Sequence, residues 1–284
     1  MYDKILIATD GSDVAMTAAN QGLAIAEMFD TTVHVLSVAD VHEISRWETV
    51  QKHLRTERRR DVDAIASIAA DRNLTVERVV RDGRPHHEIL AYAEENDVDL
   101  LVLGTHGRTG ICRWMLGSIT TNVVRESPRP VLTVGETTKH VPRRFNEILV
   151  ATDGRPGTAA AVDHAIALAD AYGATVHALY VVDNTLSRLP AVLEEFERIG
   201  TKTTTNLKIR ATECGVDVVR AVERGEPHRA IVGYAVDHAA DLIVIGTEGR
   251  SGLDRLAFGS VAQRIVSTSP VPVLTVRAIE QDRS

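Results

Sequence analysis

Apolar residues follow two alternating patterns along the chain. Short, continuous apolar runs are typical of buried strands, and they alternate with longer segments whose apolar residues recur at the spacing of an amphipathic helix. In the first half we predict strands at 4–9, 32–38, 75–80, 100–103 and 131–134, and helices at 13–29, about 45–72, 85–96 and 118–126. In the second half the predicted strands lie near 147–152, 175–181, 216–222, 241–245 and 271–276.

This alternation predicts an α/β fold. Strands that are apolar throughout and separated by helices form a parallel sheet that is buried on both faces. Because such crossovers are right-handed, the helices cover both faces, and the fold is doubly wound, or Rossmann-like. A sheet of this kind binds its ligand beyond the carboxyl ends of the strands, at the point where the winding reverses.

The chain contains two similar copies of one sequence. KILIATDG at 4–11 returns as EILVATDG at 147–154, and DLLVLGTHGRTG at 99–110 returns as DLIVIGTEGRSG at 241–252. The offset stays at 142 or 143 residues along the chain, which indicates a duplicated domain rather than a short structural repeat.

The length of 284 residues suits two such domains. The stretch between the copies is polar and contains Pro142, so it reads as a linker. We therefore predict one domain at 1–138 and a second at 145–279, each with its own five-stranded sheet.

Composition narrows the classes of function. The chain is 44% hydrophobic and 25% charged, as is usual for a soluble protein, and its net charge of −7 disfavours nucleic acids and membrane surfaces as partners. Its two cysteines, Cys112 and Cys214, form no CxxC pair or zinc spacing. We see no leader at the N-terminus and no apolar run long enough to span a bilayer, so we expect a cytoplasmic protein.

A glycine pattern follows the fourth strand of each copy. It reads G-x2-G-x9-G-S, from Gly104 to Ser118 in the first copy and from Gly246 to Ser260 in the second. Glycines allow close approach of the backbone to a phosphate, and the free N–H groups of the next helix favour an anion. The alternative is that the glycines only form turns. The pattern is neither a P-loop nor G-x-G-x-x-G.

Other residues of the loop fit the same chemistry. We expect Ser118 and Ser260 to cap the helices that follow them. Arg108 and Arg250 could neutralise phosphate charge.

With Asp10 closing the first strand, the glycine pattern resembles the ATP-binding branch of the universal stress protein family. The likeness covers both halves almost end to end, so the chain looks like a tandem member. The resemblance implies the adenine nucleotide α-hydrolase-like form of the fold, with strand order 3-2-1-4-5. That order places strands one and four side by side at the switch point.

The resemblance also implies one adenine-nucleotide site in each domain. The end of the first strand would line the adenosine, the end of the second would offer its backbone to the adenine, and the glycine loop would bind ribose and phosphates. The implied first site consists of Ala8, Thr9, Asp10, Val38, Gly104, His106, Gly107, Arg108, Gly117, Ser118, Ile119 and Thr120. The implied second site consists of Ala151, Thr152, Asp153, Val181, Gly246, Glu248, Gly249, Gly259, Ser260 and Val261.

Two departures weaken the expected second site. Glu248 replaces His106 and adds a negative charge near the polyphosphate, while Ala262 replaces Thr120 and removes a hydroxyl. The expected cofactor is ATP, with Mg²⁺ or Mn²⁺ held mostly by phosphate and water rather than by protein ligands.

The sequence contains no organised catalytic set, so it favours a regulatory, stress-response protein that binds ATP and is at most a weak ATPase. One alternative is an enzyme acting at the α-phosphate of ATP, although the S-G-G-x-D-S type of loop is missing. The other is a nucleotide-free protein-interaction module. The apolar strand PVLTV at 130–134 and 272–276 is a natural pairing surface if it lies at a sheet edge. The family resemblance implies that it pairs the two domains as an intramolecular pseudo-dimer, which leaves open a homodimer of chains.

Three features have a plain structural interpretation. Asp10 and Asp153 could serve as turn residues instead of ligands. The charged run at 57–61 is most simply a solvated helix face. His34 and His177 occupy matching strand positions and are expected to be structural.

Overall fold

The computed structural model describes residues 1–40, 48–106, 116–138, 142–185, 189–247 and 258–278. The chain divides into two compact units, Met1–Glu136 and Thr137–Ser284. Both units are α/β domains, which confirms the predicted fold class.

The first domain has a parallel sheet with the order β3-β2-β1-β4-β5. Its strands are β1 (Lys4–Ala8), β2 (Thr32–Ala39), β3 (Val76–Asp82), β4 (Leu100–Gly104) and β5 (Val131–Val134). Its described helices are α1 (Asp13–Phe29), α2 (Glu48–Asp71), α3 (Pro85–Glu95) and α4 (Ser118–Glu126).

The second domain repeats this order as β8-β7-β6-β9-β10. Its strands are β6 (Glu147–Ala151), β7 (Thr175–Asp183), β8 (Val218–Gly225), β9 (Leu242–Gly246) and β10 (Val273–Val276). Its described helices are α5 (Pro156–Tyr172), α6 (Pro190–Glu213), α7 (Pro227–Asp237) and α8 (Ser260–Thr268). The strand order implied by the family resemblance is therefore confirmed in each domain.

The core of each domain lies on both faces of its central strand. In the first domain Ile5, Leu6 and Ile7 of β1 are fully buried, so both faces of the sheet must be covered by apolar side chains. Helix α1 ends at Phe29, and its C-cap Asp30 has a left-handed φ of 51°, which stops the helix before β2. None of the described helices is long and apolar enough to cross a membrane.

The sheet order places the switch point between β1 and β4. Ile7 of β1 lies opposite Val102 of β4, so both strands end at the same edge of the sheet. In the second domain Val150 of β6 lies opposite Val244 of β9. The loops that leave these strands start side by side, where a doubly wound sheet binds its ligand.

Candidate functional site

The loop after β1 is a tight turn held by its own side chains. Thr9 continues the sheet, because its N–H donates to the Leu36 carbonyl at 2.9 Å. The Thr9 hydroxyl accepts from Gly11 N–H at 3.1 Å, and Asp10 Oδ1 accepts from Ser12 N–H at 3.0 Å. Gly11 has a φ of 78°, a conformation that favours glycine. Asp10 thus has a turn role of its own, whether or not it also contacts a ligand.

Helix α1 satisfies its own N-terminus. Ser12 is its N-cap, and the Ser12 hydroxyl accepts from Ala15 N–H at 3.2 Å. A capped N-terminus offers fewer free donors to an anion than an uncapped one.

Arg58 links α2 to the β1 loop. Its guanidinium donates to the Asp10 carbonyl at 2.7 Å and pairs with Asp61 at 3.1 Å, and both side chains are only 11% exposed. The prediction that residues 57–61 form a solvated helix face is therefore wrong for these two residues.

The end of β4 lies directly against two helices. A Cβ on Gly104 would lie 3.1 Å from Ala15 N of α1, so this glycine permits close packing of helix and strand. On the other side, Gly117 N–H donates to the Thr105 carbonyl at 2.9 Å. The buried Thr120 hydroxyl donates to the Gly104 carbonyl at 2.7 Å. These bonds fasten the first turn of α4 to the end of β4.

The N-terminus of α4 has no side-chain cap. Gly117 occupies the N-cap position, and the prediction that Ser118 caps this helix is wrong, since Ser118 is its first helical residue. The first intrahelical bond runs from Thr121 N–H to the Gly117 carbonyl at 2.9 Å, so the N–H groups of residues 118–120 lie ahead of it. Gly259 replaces Ser260 as the N-cap of α8 in the same way. In both cases a glycine cap leaves the amide donors to another partner.

His106 carries an unsatisfied polar atom in this region. Its Nδ1 lies 2.9 Å from the Thr105 hydroxyl, while its buried Nε2 has no hydrogen-bond partner among the described residues. Buried polar atoms in proteins are nearly always paired, so such an atom suggests a missing partner. Gly107 and Arg108 of the predicted site lie outside the described residues.

The structure brings most predicted first-site residues to one edge of the sheet. At the carboxyl ends of β1, β2 and β4 and the start of α4 lie Ala8, Thr9, Asp10, Val38, Gly104, His106, Gly117, Ser118, Ile119 and Thr120. Sequence reasoning missed Arg58 and Ser37, whose hydroxyl donates to the Thr9 carbonyl at 2.7 Å. It also missed Thr105, although the recurrence of this threonine as Thr247 was a visible signal.

The second domain repeats the loop geometry with changed side chains. Asp153 Oδ1 accepts from Arg155 N–H at 3.0 Å, and Gly259 N–H donates to the Thr247 carbonyl at 3.0 Å. Helix α5 begins after Arg155, whose side chain makes no capping bond, where the first domain has Ser12.

The matching edge of the second domain holds most of the predicted second site. Its described members are Ala151, Thr152, Asp153, Val181, Gly246, Gly259, Ser260 and Val261. Glu248 and Gly249 lie outside the described residues. Ala262 is buried, at the position where Thr120 donates its hydroxyl in the first domain. The bond that fastens α4 to its strand therefore has no side-chain counterpart in α8.

Protein ligands for a metal do not cluster in the described parts of the two domains. No group of three or more His, Cys, Asp or Glu side chains there is arranged to hold an ion.

Comparison with known proteins gives one consistent family. The sequence model of the universal stress protein family matches residues 1–135 and 144–277. A universal stress protein of Methanocaldococcus jannaschii is 34% identical over 140 residues, which are 47% of this chain and 82% of that protein. A universal stress protein of Mycobacterium tuberculosis is 27% identical over 291 residues, which cover 96% of each chain.

The fold agrees with a solved relative over nearly the whole chain. The crystal structure of a universal stress protein from Archaeoglobus fulgidus has a TM-score of 0.80 and 19% identity, and the match covers 99% of this chain and 98% of that one. At this identity the likeness concerns the fold alone. Together with the two family matches along the sequence, it leads to one conclusion: the chain belongs to the universal stress protein family, as a tandem of two family domains.

Proposed function

We propose that the first domain binds ATP at the carboxyl edge of its sheet and that occupancy serves a regulatory, stress-response role. The observation that carries this proposal is the uncapped N-terminus of α4, which is fastened beside the end of β4 by Thr120 and Gly117. Free amides at a helix start, with the positive end of the helix dipole, form a site for phosphate.

His106 and the β1 loop supply the neighbouring contacts. The buried Nε2 of His106 gives a ribose hydroxyl or phosphate oxygen a partner within the same edge. Asp10 and Thr9 stand at the end of β1, next to β4, where the adenosine would lie. Mg²⁺ or Mn²⁺ would accompany the phosphates, held by phosphate oxygens and water.

The second domain would bind the nucleotide more weakly, or not at all. Its α8 has the same glycine cap, but Ala262 supplies no hydroxyl to hold the first turn against β9. Glu248 would add repulsion if it lies near the phosphates, as its sequence position suggests. We therefore propose one strong site per chain.

The described residues favour binding over rapid chemistry. Asp10 is engaged in its turn. The hydroxyl–imidazole pair described at this edge, Thr105 with His106, has its threonine only 1% exposed, so that hydroxyl is poorly placed to attack a phosphate. A regulatory role therefore ranks above hydrolysis at the α-phosphate. Release of AMP or ADP from labelled ATP, measured over many turnovers, distinguishes the two.

A negative charge introduced at the helix start tests the proposal without disturbing the fold. Ile119 is 37% exposed in the first turn of α4, and its counterpart Val261 is 37% exposed in α8. Aspartate in a first turn favours the helix while it repels a bound phosphate. The assay is calorimetric titration of the nucleotide-free full chain with Mg-ATP, with AMP and cyclic AMP as competing ligands.

We expect Ile119→Asp to weaken ATP binding by at least about tenfold, the effect of one like charge near a phosphate in a partly screened site. Ile119→Asn should retain most of the affinity, and Val261→Asp should leave the stronger site unchanged. Absence of binding in the wild-type chain would sink the proposal. If Val261→Asp lost affinity and Ile119→Asp did not, the nucleotide site would lie in the second domain, contrary to the proposal.

A further inference from the structure

The second domain contains a groove between α5 and α6 that also touches the loop after β6 at Thr152 and Gly154. Its volume is about 150 Å³, and its lining includes Ala159 and Val162 of α5 with Leu207 and Arg210 of α6. Val162 and Leu207 are buried and form an apolar floor. An enclosed apolar cavity of about this volume holds one benzene ring. This groove is open to solvent, and beyond its apolar floor it is lined by Thr152, Gly154, Arg155, Thr158, Thr203 and Asn206.

The first domain has different side chains at the positions that line this groove. Helices α1 and α5 have 17 residues each, and α2 and α6 have 24 each, so their positions correspond one to one. Ala159 therefore replaces Met16, and the smaller side chain leaves space that a methionine would fill. Arg210 replaces Ile68, which changes the rim of the groove from apolar to cationic.

A second arginine faces the same groove. Arg155 lines it at the start of α5, where the first domain has the uncharged Ser12. Asn206 contributes an amide to the lining from α6. The groove therefore has hydrogen-bond donors on one side, from two guanidinium groups and an amide, and hydrocarbon on the other side. Guanidinium groups match the planar fork of a carboxylate.

Both arginines have carboxylate partners that a ligand can displace. Arg155 lies 3.5 Å from Asp153, and Arg210 pairs with Asp163. All four side chains are about half exposed, and exposed ion pairs of this kind contribute little to stability. Exchange of one carboxylate for another therefore costs little, and a ligand that also covers Val162 and Leu207 gains burial of its apolar part.

We propose that this groove binds a small organic acid. Its carboxylate would lie between Arg155 and Arg210, and its apolar body, no larger than a single ring, would lie on Val162 and Leu207. This groove borders the predicted second nucleotide site, since Thr152 lines it and Arg155 pairs with Asp153, but it lies on α5 and α6 rather than at the start of α8.

Benzoate is a suitable probe, since it combines a single ring with a carboxylate. Binding to the full-length chain can be followed by chemical shifts in ¹H–¹⁵N spectra during titration. Acetate lacks the ring, and benzylamine reverses the charge. We expect saturable binding of benzoate, with binding at least about tenfold weaker for either control, since each loses the apolar contact or a charge-assisted hydrogen bond.

Three variants replace groove residues by their counterparts in the first domain. We expect them to fold, because the first domain folds with those residues. Ala159→Met should fill the space, and Arg210→Ile and Arg155→Ser should each remove one cation. Ala159→Met is expected to weaken benzoate binding by about tenfold or more, because it removes the space for the ring. Each arginine variant is expected to weaken binding by about two- to fivefold, the effect of one exposed ion pair. Met16→Ala, which opens the equivalent position in the first domain without adding arginine, should create no site.

Several outcomes would overturn the proposal. They are the absence of saturable benzoate binding, equal binding of benzylamine, or unchanged affinity in Ala159→Met. Ile119→Asp should leave benzoate binding unaffected, so failure of the nucleotide proposal would be seen separately.

Discussion

Replacing Thr120 by valine tests how firmly α4 is held against the end of β4. The Thr120 side chain is 4% exposed, and its hydroxyl donates to the Gly104 carbonyl at 2.7 Å. Valine keeps the shape but removes the donor. A typical hydrogen bond contributes about 1 kcal/mol net, and a buried acceptor left without a partner raises the loss to as much as about 3 kcal/mol. We therefore expect the free energy of unfolding of the first domain to fall by about 1–3 kcal/mol.

Tryptophan fluorescence reports on this domain selectively, because Trp47 and Trp114 are the two tryptophans of the chain and both belong to its first half. In urea the unfolding free energy falls by about 1–3 kcal/mol per molar, so a loss of about 2 kcal/mol lowers the midpoint by roughly 1 M. The neighbouring Thr121→Val is the matched control. The Thr121 hydroxyl donates to the Gly117 carbonyl at 2.9 Å, which also accepts Thr121 N–H.

The control should cost less than about 0.5 kcal/mol, because the Gly117 carbonyl keeps its backbone partner. Equal midpoints for the two valine variants would refute the reasoning. They would mean that the bond from Thr120 to Gly104 adds nothing beyond an ordinary hydroxyl contact in a helix.

Three further predictions concern single residues. Ser12→Ala should lower the free energy of unfolding of the first domain in urea by about 1 kcal/mol, because a helix cap is lost. Arg155→Ala removes no capping bond, so circular dichroism should show the unfolding free energy of the second domain within about 0.5 kcal/mol of the wild-type value. A larger loss for the arginine variant would contradict this. Burial lowers the pKa of His34, so the neutral ring is favoured in the fold, and its contribution is lost as pH falls below about 6.5. His34→Gln should therefore reduce the drop in Tm between about pH 7.5 and 5.5. His53→Gln is the control, since the His53 side chain is 72% exposed, and it should keep the wild-type drop. Identical drops in all three proteins would show that His34 does not cause the pH dependence. Gly246→Ala would place a Cβ 2.8 Å from a backbone oxygen of α5. It should lower the free energy of unfolding of the second domain by about 1–3 kcal/mol, seen as faster hydrogen exchange in α5. Exchange no faster than in the wild-type chain would show that the methyl group fits.

Elements set by local pattern were predicted well from the sequence. The bounds of α1 and β5 match the predicted 13–29 and 131–134, because an amphipathic period or a buried apolar run fixes each one. The strand β3 extends to Asp82, two residues beyond the prediction, although Arg81 and Asp82 are charged. These residues pair in register with Val38 and Ala39 of β2, and their side chains form ion pairs with side chains of neighbouring helices.

Contacts between distant segments could not be read from the sequence. Arg58 was predicted to face solvent from its charged neighbours, yet it reaches the Asp10 carbonyl, which lies 48 residues earlier. The helix caps were predicted one residue too late, since a serine after a glycine suggests a cap, while the turn geometry gave that position to Gly117. The groove beside Ala159 depends on the fit of two helices, which no local pattern specifies.

The two histidines show how duplicated positions diverge. His34 and His177 each lie near a tyrosine hydroxyl, at 2.7 and 3.0 Å, as expected of structural residues. The carboxylate beside each histidine comes from a different strand. Glu77 of β3 lies 3.5 Å from His34, whereas Glu147 of β6 lies 2.8 Å from His177. The sequence showed the matched histidines but not this exchange of partners, because each partner lies on a neighbouring strand.

The most direct test of the central claim follows the amide resonances of Ser118, Ile119 and Thr120 in ¹H–¹⁵N spectra while Mg-ATP is added to the full-length chain. If phosphate binds at the start of α4, these signals shift together and saturate with the affinity measured by calorimetry, whereas adenosine leaves them in place. If ATP binds and these amides do not respond, or if no ATP binds, the assignment of α4 as the phosphate site is contradicted.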